Sequence, residues 1–199
     1  MITRKEMTRM LLKEGLLSCL ANNSFESVTV TSLCKASGIT RSTFYLHYSN
    51  IMEIVDDLVD DAIAYSKPGM VDNNNLQTIA QTLSAASDSV SLRESYDSIF
   101  DRLPLCQRII RHKKYLPLFL DDQISEYVLQ RIIGSEKDRQ GIVMAEALGT
   151  SFDVGVSVFV FLVHGLYAVN KQYKWSQSDE WLEAQKVIFE LVCRGLQRK

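Results

Sequence analysis

The sequence contains few prolines, which break helices, and few histidines and cysteines, which form metal sites and disulfides. It contains three prolines and three histidines among 199 residues. The histidines have no H-x-x-x-H spacing, and the four cysteines form no C-x-x-C pair. Isolated cysteines among apolar neighbours are usually small buried side chains, so we expect no disulfide, no metal site and no cofactor.

Two targeting signals are also missing. The first residues, MITRKEMTRM, contain no apolar segment of the kind that opens a secretory signal. The longest apolar run, near Val154 to Val163, is interrupted by Ser157 and falls short of the roughly 20 residues needed to span a bilayer. The sequence therefore predicts a cytoplasmic protein without a membrane segment.

Charge is small in total but uneven in distribution. The net charge is −2, which alone indicates no polyanionic partner. Residues 1–50 carry six basic and three acidic residues, whereas the rest carries 16 basic and 21 acidic residues. A basic first part on an acidic body is typical of a chain whose first part meets nucleic acid.

Helical spacing of apolar residues recurs along the chain, and no strand-like alternation of any length is visible, so the sequence predicts an all-α fold. We expect a DNA-binding domain of three helices in residues 1–50, a fourth helix over 51–66 as connector, and a regulatory and dimerisation domain over 67–199. Lys67-Pro68-Gly69 and a polar linker at 72–75 separate the last two parts. The serine-rich stretch 84–98 gives the weakest helical signal.

Residues 29–48 predict a helix-turn-helix. Thr29 and Thr40 are predicted N-caps of two short helices, and Gly38 supplies the turn between them. The second helix combines small hydroxyls with one arginine and an aromatic end, groups that suit phosphate oxygens and base edges. The alternative is a small helical corner whose hydroxyls only cap helix ends. The predicted DNA-binding residues are Thr29, Thr40, Arg41, Ser42, Thr43, Tyr45, His47 and Tyr48.

The stretch from Ser24 to Asp56 resembles the helix-turn-helix of TetR-family (TetR/AcrR-like) transcriptional regulators. The matching residues are Phe25, Thr29-Val30, Ser37-Gly38-Ile39 and the run RSTFYLHY from Arg41 to Tyr48. The resemblance implies that Thr43, Tyr45 and Tyr48 contact phosphates, that Arg41 and Ser42 face the bases, and that His47 shares their surface. The family commonly has a lysine where this chain has Ile51, so Ser49 or Asn50 would take over that phosphate contact.

The resemblance also implies a dimer formed by the last two helices and an effector pocket in the body. Residues 152–175 are apolar around most of a helix, and a second apolar stripe follows after Ser178. The alternative for both is an ordinary intrachain core. The predicted dimer residues are Phe159, Leu166, Trp181, Ile188, Leu191 and Leu196. The predicted pocket residues are Phe100, Tyr115, Phe119, Tyr127, Phe152, His164 and Tyr167, with Phe159 a candidate there too.

These features favour a homodimeric repressor that binds a pseudo-palindromic double-stranded DNA operator and is released by a small-molecule effector. The alternative is a TetR-like regulator that is controlled by a protein partner and acts as an interaction module or co-activator. An enzyme is disfavoured, because no nucleophile has a base and an orienting group beside it. Cys106 and His112 come nearest, but residues six apart do not share a helical face.

Overall fold

The computed structural model describes residues 3–66, 76–109 and 112–196. Within these ranges the regular elements are eleven α-helices and three short 3-10 helices, with no strand, which confirms the all-α prediction. The α-helices are α1 Arg4–Leu20, α2 Val30–Ser37, α3 Arg41–Tyr45, α4 Ile51–Ser66, α5 Leu76–Ser84, α6 Ser89–Ser98, α7 Leu105–Ile109, α8 Leu116–Leu120, α9 Ser125–Leu148, α10 Phe152–Gln172 and α11 Asp179–Leu196.

The chain divides into two compact units. The first unit consists of residues 1–65 and 109–132, and the second of residues 66–108 and 133–199. The division differs from the predicted boundary near residue 67, because α8 and the start of α9 group with the N-terminal helices. The predicted break at Lys67-Pro68-Gly69 and the linker at 72–75 lie outside the described residues.

The first unit is built around the inner face of α1. Thr3 caps this helix by accepting a hydrogen bond from the Glu6 amide, and the Glu6 carboxylate accepts one from the Thr3 amide at 2.7 Å. Leu12 and Leu16, one turn apart, are completely buried. A Cβ added at Gly15 would lie 2.9 Å from the Ser37 Cβ, so α1 and α2 approach closely at this glycine.

Ion pairs connect α4 to two neighbouring helices of the first unit. Asp57 and Asp61, one turn apart on α4, pair with Arg9 and Lys13, one turn apart on α1. On the other side, Arg131 of α9 pairs with Asp56 and also with Asp60, to which the distance is 2.6 Å. Pairs of this exposure each contribute about 0–1 kcal/mol, so their main effect is to fix the orientation of α4.

A chain of buried hydrogen bonds runs through the core of the second unit. Tyr96 donates to Gln107 Oε1 at 2.8 Å, and Gln107 Nε2 donates to Gln185 Oε1 at 2.7 Å. Gln185 Nε2 then donates to Asn170 Oδ1 at 3.1 Å, and Trp181 Nε1 donates to the same oxygen at 2.9 Å. Apolar side chains of α5, α6 and α11 surround this chain, so its polar groups are shielded from water.

The helix α10 carries the longest apolar run of the sequence. Over its most apolar 18 residues the mean hydropathy is 1.9, and 28% of that window is buried, so by length and composition alone it could cross a bilayer. The sequence predicted that the apolar run near Val154 to Val163 is too short to span a bilayer. The helix that contains this run extends over 21 residues, so the predicted length is wrong. Near its start, a Cβ on Gly155 would lie 2.7 Å from the Ala145 amide nitrogen, so α9 and α10 touch backbone to backbone.

Candidate functional site

The segment from Thr29 to Tyr48 forms two short helices joined by a tight turn. The Thr29 hydroxyl accepts from the Ser32 amide at 3.1 Å, and the Thr40 hydroxyl accepts from the Thr43 amide at 3.2 Å, which confirms both predicted N-caps. Gly38 ends α2 with a φ of 67°, a left-handed conformation that glycine adopts without strain. Caps and glycine together fix where α3 begins.

The helix α3 has two clearly different sides. Its turn continues past Tyr45, because the Tyr48 amide donates to the Phe44 carbonyl at 3.0 Å. Phe44 and Tyr48, four residues apart, are buried on one side. The other side consists of four exposed side chains, Arg41, Ser42, Tyr45 and Leu46, which we call the α3 face.

The predicted DNA-binding residues are brought together here, but Thr43, His47 and Tyr48 are less exposed than expected. Thr29, Thr40, Arg41, Ser42 and Tyr45 are exposed as expected. Thr43 is half-buried, and its hydroxyl lies 2.9 Å from that of Thr40, which also lies 3.0 Å from the Ser42 hydroxyl. His47 is half-buried, and its Nδ1 is buried without a hydrogen-bond partner among the described residues, so that nitrogen does not face a ligand.

Tyr48 does not occupy the predicted position, and its expected role as a phosphate contact is wrong for this geometry. Its side chain is 3% exposed, and its hydroxyl donates to Asp57 Oδ2 at 2.6 Å. The guanidinium of Arg9, which pairs with the same carboxylate, lies 4.8 Å from the centre of the Tyr48 ring. Burial and the neighbouring carboxylate raise the pKa of Tyr48 well above its usual value, so the hydroxyl stays protonated and donates. Tyr48 thus anchors the end of α3 to α1 and α4.

Replacing Tyr48 with phenylalanine should therefore act on stability. Removing the hydroxyl leaves the Asp57 carboxylate without one of its two partners, and we expect the free energy of unfolding to fall by about 1–2 kcal/mol. Denaturation in urea measures the change. The matched control is Tyr45→Phe, because Tyr45 is 53% exposed and its hydroxyl loss should cost less than about 0.5 kcal/mol. Equal losses in the two variants would contradict the anchoring role.

Leu46 was not among the residues predicted from the sequence, yet it is 81% exposed on the α3 face. The sequence did contain a signal. Phe44 and Tyr48 are spaced as one buried stripe, so Leu46, midway between them, must lie on the opposite side of the helix. The resemblance drew attention to polar residues, and an apolar member of the face was overlooked.

The seven residues predicted to line an effector pocket divide between the two units. Tyr115 and Phe119 belong to the core of the first unit, and Tyr127 of that unit is an exposed side chain bonded to Asp56. The other four belong to the second unit: Phe100 packs on its core, Phe152 is exposed, His164 Nδ1 lies 2.9 Å from the Val160 carbonyl oxygen, and the Tyr167 ring lies 5.5 Å from that of Trp175. Neither unit on its own contains the whole predicted lining: Tyr115, Phe119 and Tyr167 are buried, whereas Tyr127 and Phe152 are exposed.

The predicted dimer residues are also divided, here between core and surface. Phe159, Leu166 and Trp181 are at least nine-tenths buried in the single chain, which leaves little of Phe159 and Trp181 for an intermolecular interface, whereas Leu166 also lines the groove described next. Ile188 packs partly against the same core, and Leu191 is 63% exposed. The side chain of Leu196 lies outside the described part of the chain.

An apolar surface lies on the outer sides of α10 and α11, and Leu166, Ile188 and Leu191 of the predicted dimer residues are in its lining. It is a groove of about 640 Å³ with an almost entirely apolar lining. Phe161, missed in the sequence, is its most exposed member at 75%. We call this surface the α10–α11 groove. Its lining consists of Leu148, Val158, Phe161, Leu162, Gly165, Leu166, Val169, Ile188, Leu191, Val192 and Gly195.

Comparison with known proteins adds no assignment to this geometry. No protein-family model matches the chain, and no curated protein is significantly similar to it.

Proposed function

We propose that the chain is a DNA-binding transcriptional regulator of the TetR type, in which α2, the turn at Gly38 and α3 act as a helix-turn-helix. The observation that carries the proposal is the two-sided character of α3. One side is held against the unit by Phe44 and Tyr48, and the other presents Arg41, Ser42 and Tyr45 to solvent. A helix that is packed on one side and exposes polar side chains on the other can enter a major groove without losing its packing contacts.

Local charge supports a polyanionic partner. Residues 27–52 contain Lys35 and Arg41 and no acidic residue, although the chain as a whole is acidic. Hydroxyls at Thr40 and Ser42 can donate to phosphate oxygens, and the guanidinium of Arg41 can donate two parallel hydrogen bonds to guanine. All three side chains are exposed and near one another in the chain.

The α10–α11 groove supports a homodimer. A contiguous apolar surface is costly to leave in water, and a second copy of the chain offers a surface of the same composition. A two-fold dimer would present two copies of α3 to half-sites about 34 Å apart on a pseudo-palindromic operator. As a repressor, it would release DNA when an effector binds the conformation of lower DNA affinity more tightly.

A gel-shift assay with the DNA upstream of the chain's own gene tests the proposal. We expect a shift that depends on sequence and weakens with salt, because phosphate contacts release bound cations. Unrelated DNA of equal length is the control for sequence dependence. Absence of a sequence-dependent shift at every protein concentration would refute DNA-specific regulation.

Arg41→Ala should weaken operator binding by about 1–3 kcal/mol and relax base preference at one position of each half-site. The physical reason is the loss of a paired hydrogen bond to one base. Binding to a panel of singly substituted operators measures this. Lys35→Ala is the matched control, since Lys35 is an exposed basic residue on α2 outside the α3 face and should weaken all sequences equally. The same uniform loss for Arg41→Ala would make Arg41 a phosphate contact.

The alternative control mechanism is a protein partner in place of a small effector. It is favoured by one observation: Tyr115, Phe119 and Tyr167 of the predicted lining are at least nine-tenths buried, which leaves little of these side chains for a ligand. Purification from the native host and a thermal-shift screen with small molecules discriminate between the two. A stoichiometric protein partner together with no stabilising ligand favours the partner, whereas a ligand that stabilises the chain and releases DNA favours the effector.

A further inference from the structure

The α3 face contains one side chain that its polar chemistry does not explain. Leu46 is 81% exposed, the highest value among the large apolar side chains of the described residues. It follows directly on Tyr45, which is 53% exposed. A single exposed leucine elsewhere on a surface needs no explanation. Here it occupies one of four outward positions on the helix that the proposed function places against DNA.

The direction of Leu46 follows from the backbone. The residue has right-handed helical dihedrals, φ −76° and ψ −17°, and the Tyr48 amide still bonds to the Phe44 carbonyl. The helical path therefore continues through position 46. Residues four apart lie one above the other on a helix, so Leu46 shares its direction with the exposed Ser42. Folding does not depend on it, since its side chain contributes little buried area.

A leucine side chain has no group that can donate to a phosphate or accept from a base edge. In the major groove, the apolar group that distinguishes one base from the others is the C5-methyl of thymine. We propose that Leu46 is a specificity-determining residue that packs on a thymine methyl in each half-site. The proposal rests on the proposed function and adds to it the base that this position selects.

Uracil in place of thymine tests the contact, because the two bases differ only by that methyl group. Preferred duplexes are first selected from a random pool with the wild-type chain, and each thymine of the selected site is then replaced by uracil, one at a time. At one thymine per half-site we expect wild-type affinity to fall about fourfold, the effect of removing one methyl-sized apolar contact. At the same position, Leu46→Ala should bind thymine and uracil duplexes equally.

Val90→Ala is the matched control, since Val90 is a 69% exposed aliphatic residue on α6. It should keep the wild-type sensitivity to uracil. Unchanged thermal unfolding of Leu46→Ala verifies that the variant is folded.

The outcomes separate this proposal from the function on which it rests. A wild-type chain that selects no consensus overturns both. A selected consensus with no uracil-sensitive thymine, or with equal uracil sensitivity in wild type and Leu46→Ala, overturns the methyl contact and leaves DNA binding intact. Sensitivity that disappears in Leu46→Ala alone supports the contact.

Discussion

Replacing Trp181 with alanine is expected to lower the free energy of unfolding by about 3–5 kcal/mol, a large share of the stability of a domain of this size. Trp181 is 1% exposed, and its ring packs edge to face on Tyr96 with the ring centres 5.0 Å apart. The substitution leaves a cavity and also removes a donor from Asn170 Oδ1. Denaturation in urea, followed by circular dichroism, measures the change.

Trp181→Phe separates packing from hydrogen bonding in the same position. It keeps an aromatic ring beside Tyr96 but loses the bond to Asn170, and we expect a smaller cost of about 1–2 kcal/mol. A loss below about 1 kcal/mol for Trp181→Ala would contradict the buried position and restore Trp181 as an interface candidate.

Placing glutamate at both Phe161 and Leu191 is expected to convert the proposed dimer into monomers. These side chains are 75% and 63% exposed and line the α10–α11 groove, so charges there should spare folding but oppose association. A monomer presents only one copy of α3, so operator binding should weaken about 10²-fold to 10⁴-fold. Analytical ultracentrifugation gives the oligomeric state, and gel shifts give the affinity.

Val90→Glu provides the control for adding charge to an exposed apolar site outside this groove, and it should remain dimeric. A double variant that still sediments as a dimer would show that association uses another surface. A wild-type chain that is monomeric at every concentration would exclude the dimer, while the gel shift would still decide whether a single copy binds DNA.

The starts of the two short helices and the turn between them were predictable from the sequence because they depend on local chemistry, whereas α3, expected to run to Tyr48, ends at Tyr45. Thr29 and Thr40 have side chains that accept from the amides three residues on, and Gly38 adopts a backbone conformation that other residues avoid. These interactions involve residues within a few positions of each other. Sequence alone therefore identified two short helices and the turn between them.

The side on which a residue lies was harder to predict, since it depends on contacts distant in sequence. Tyr48 is turned inward by Asp57 of α4 and Arg9 of α1, and only the first of these is close in the chain. Its spacing from Phe44 was compatible with the inward position, but the resemblance pointed outward. A hydroxyl that suits a phosphate also suits the half-buried carboxylate of Asp57.

The same difficulty explains why the predicted dimer residues Phe159 and Trp181 are buried, whereas the exposed Phe161 was not predicted. Both α10 and α11 are apolar on more than one side, and helical period alone does not decide which side packs on the chain's own core. The inner side of α11 carries Trp181 together with Gln185, which joins the buried hydrogen-bond chain. That chain has members far apart in sequence, so the inner side could be recognised only in three dimensions.

The ion pairs of α4 lower the salt dependence expected for DNA binding by the proposed helix-turn-helix. Arg9 and Lys13 already pair with aspartates of the same unit, so two of the six basic residues in the first fifty are engaged within the chain. Counterion release then depends on the remaining basic residues, each contributing about 0.9 to the salt exponent when it meets a phosphate. In the proposed complex, affinity for DNA would accordingly come more from hydrogen bonds and surface fit than from net electrostatic attraction.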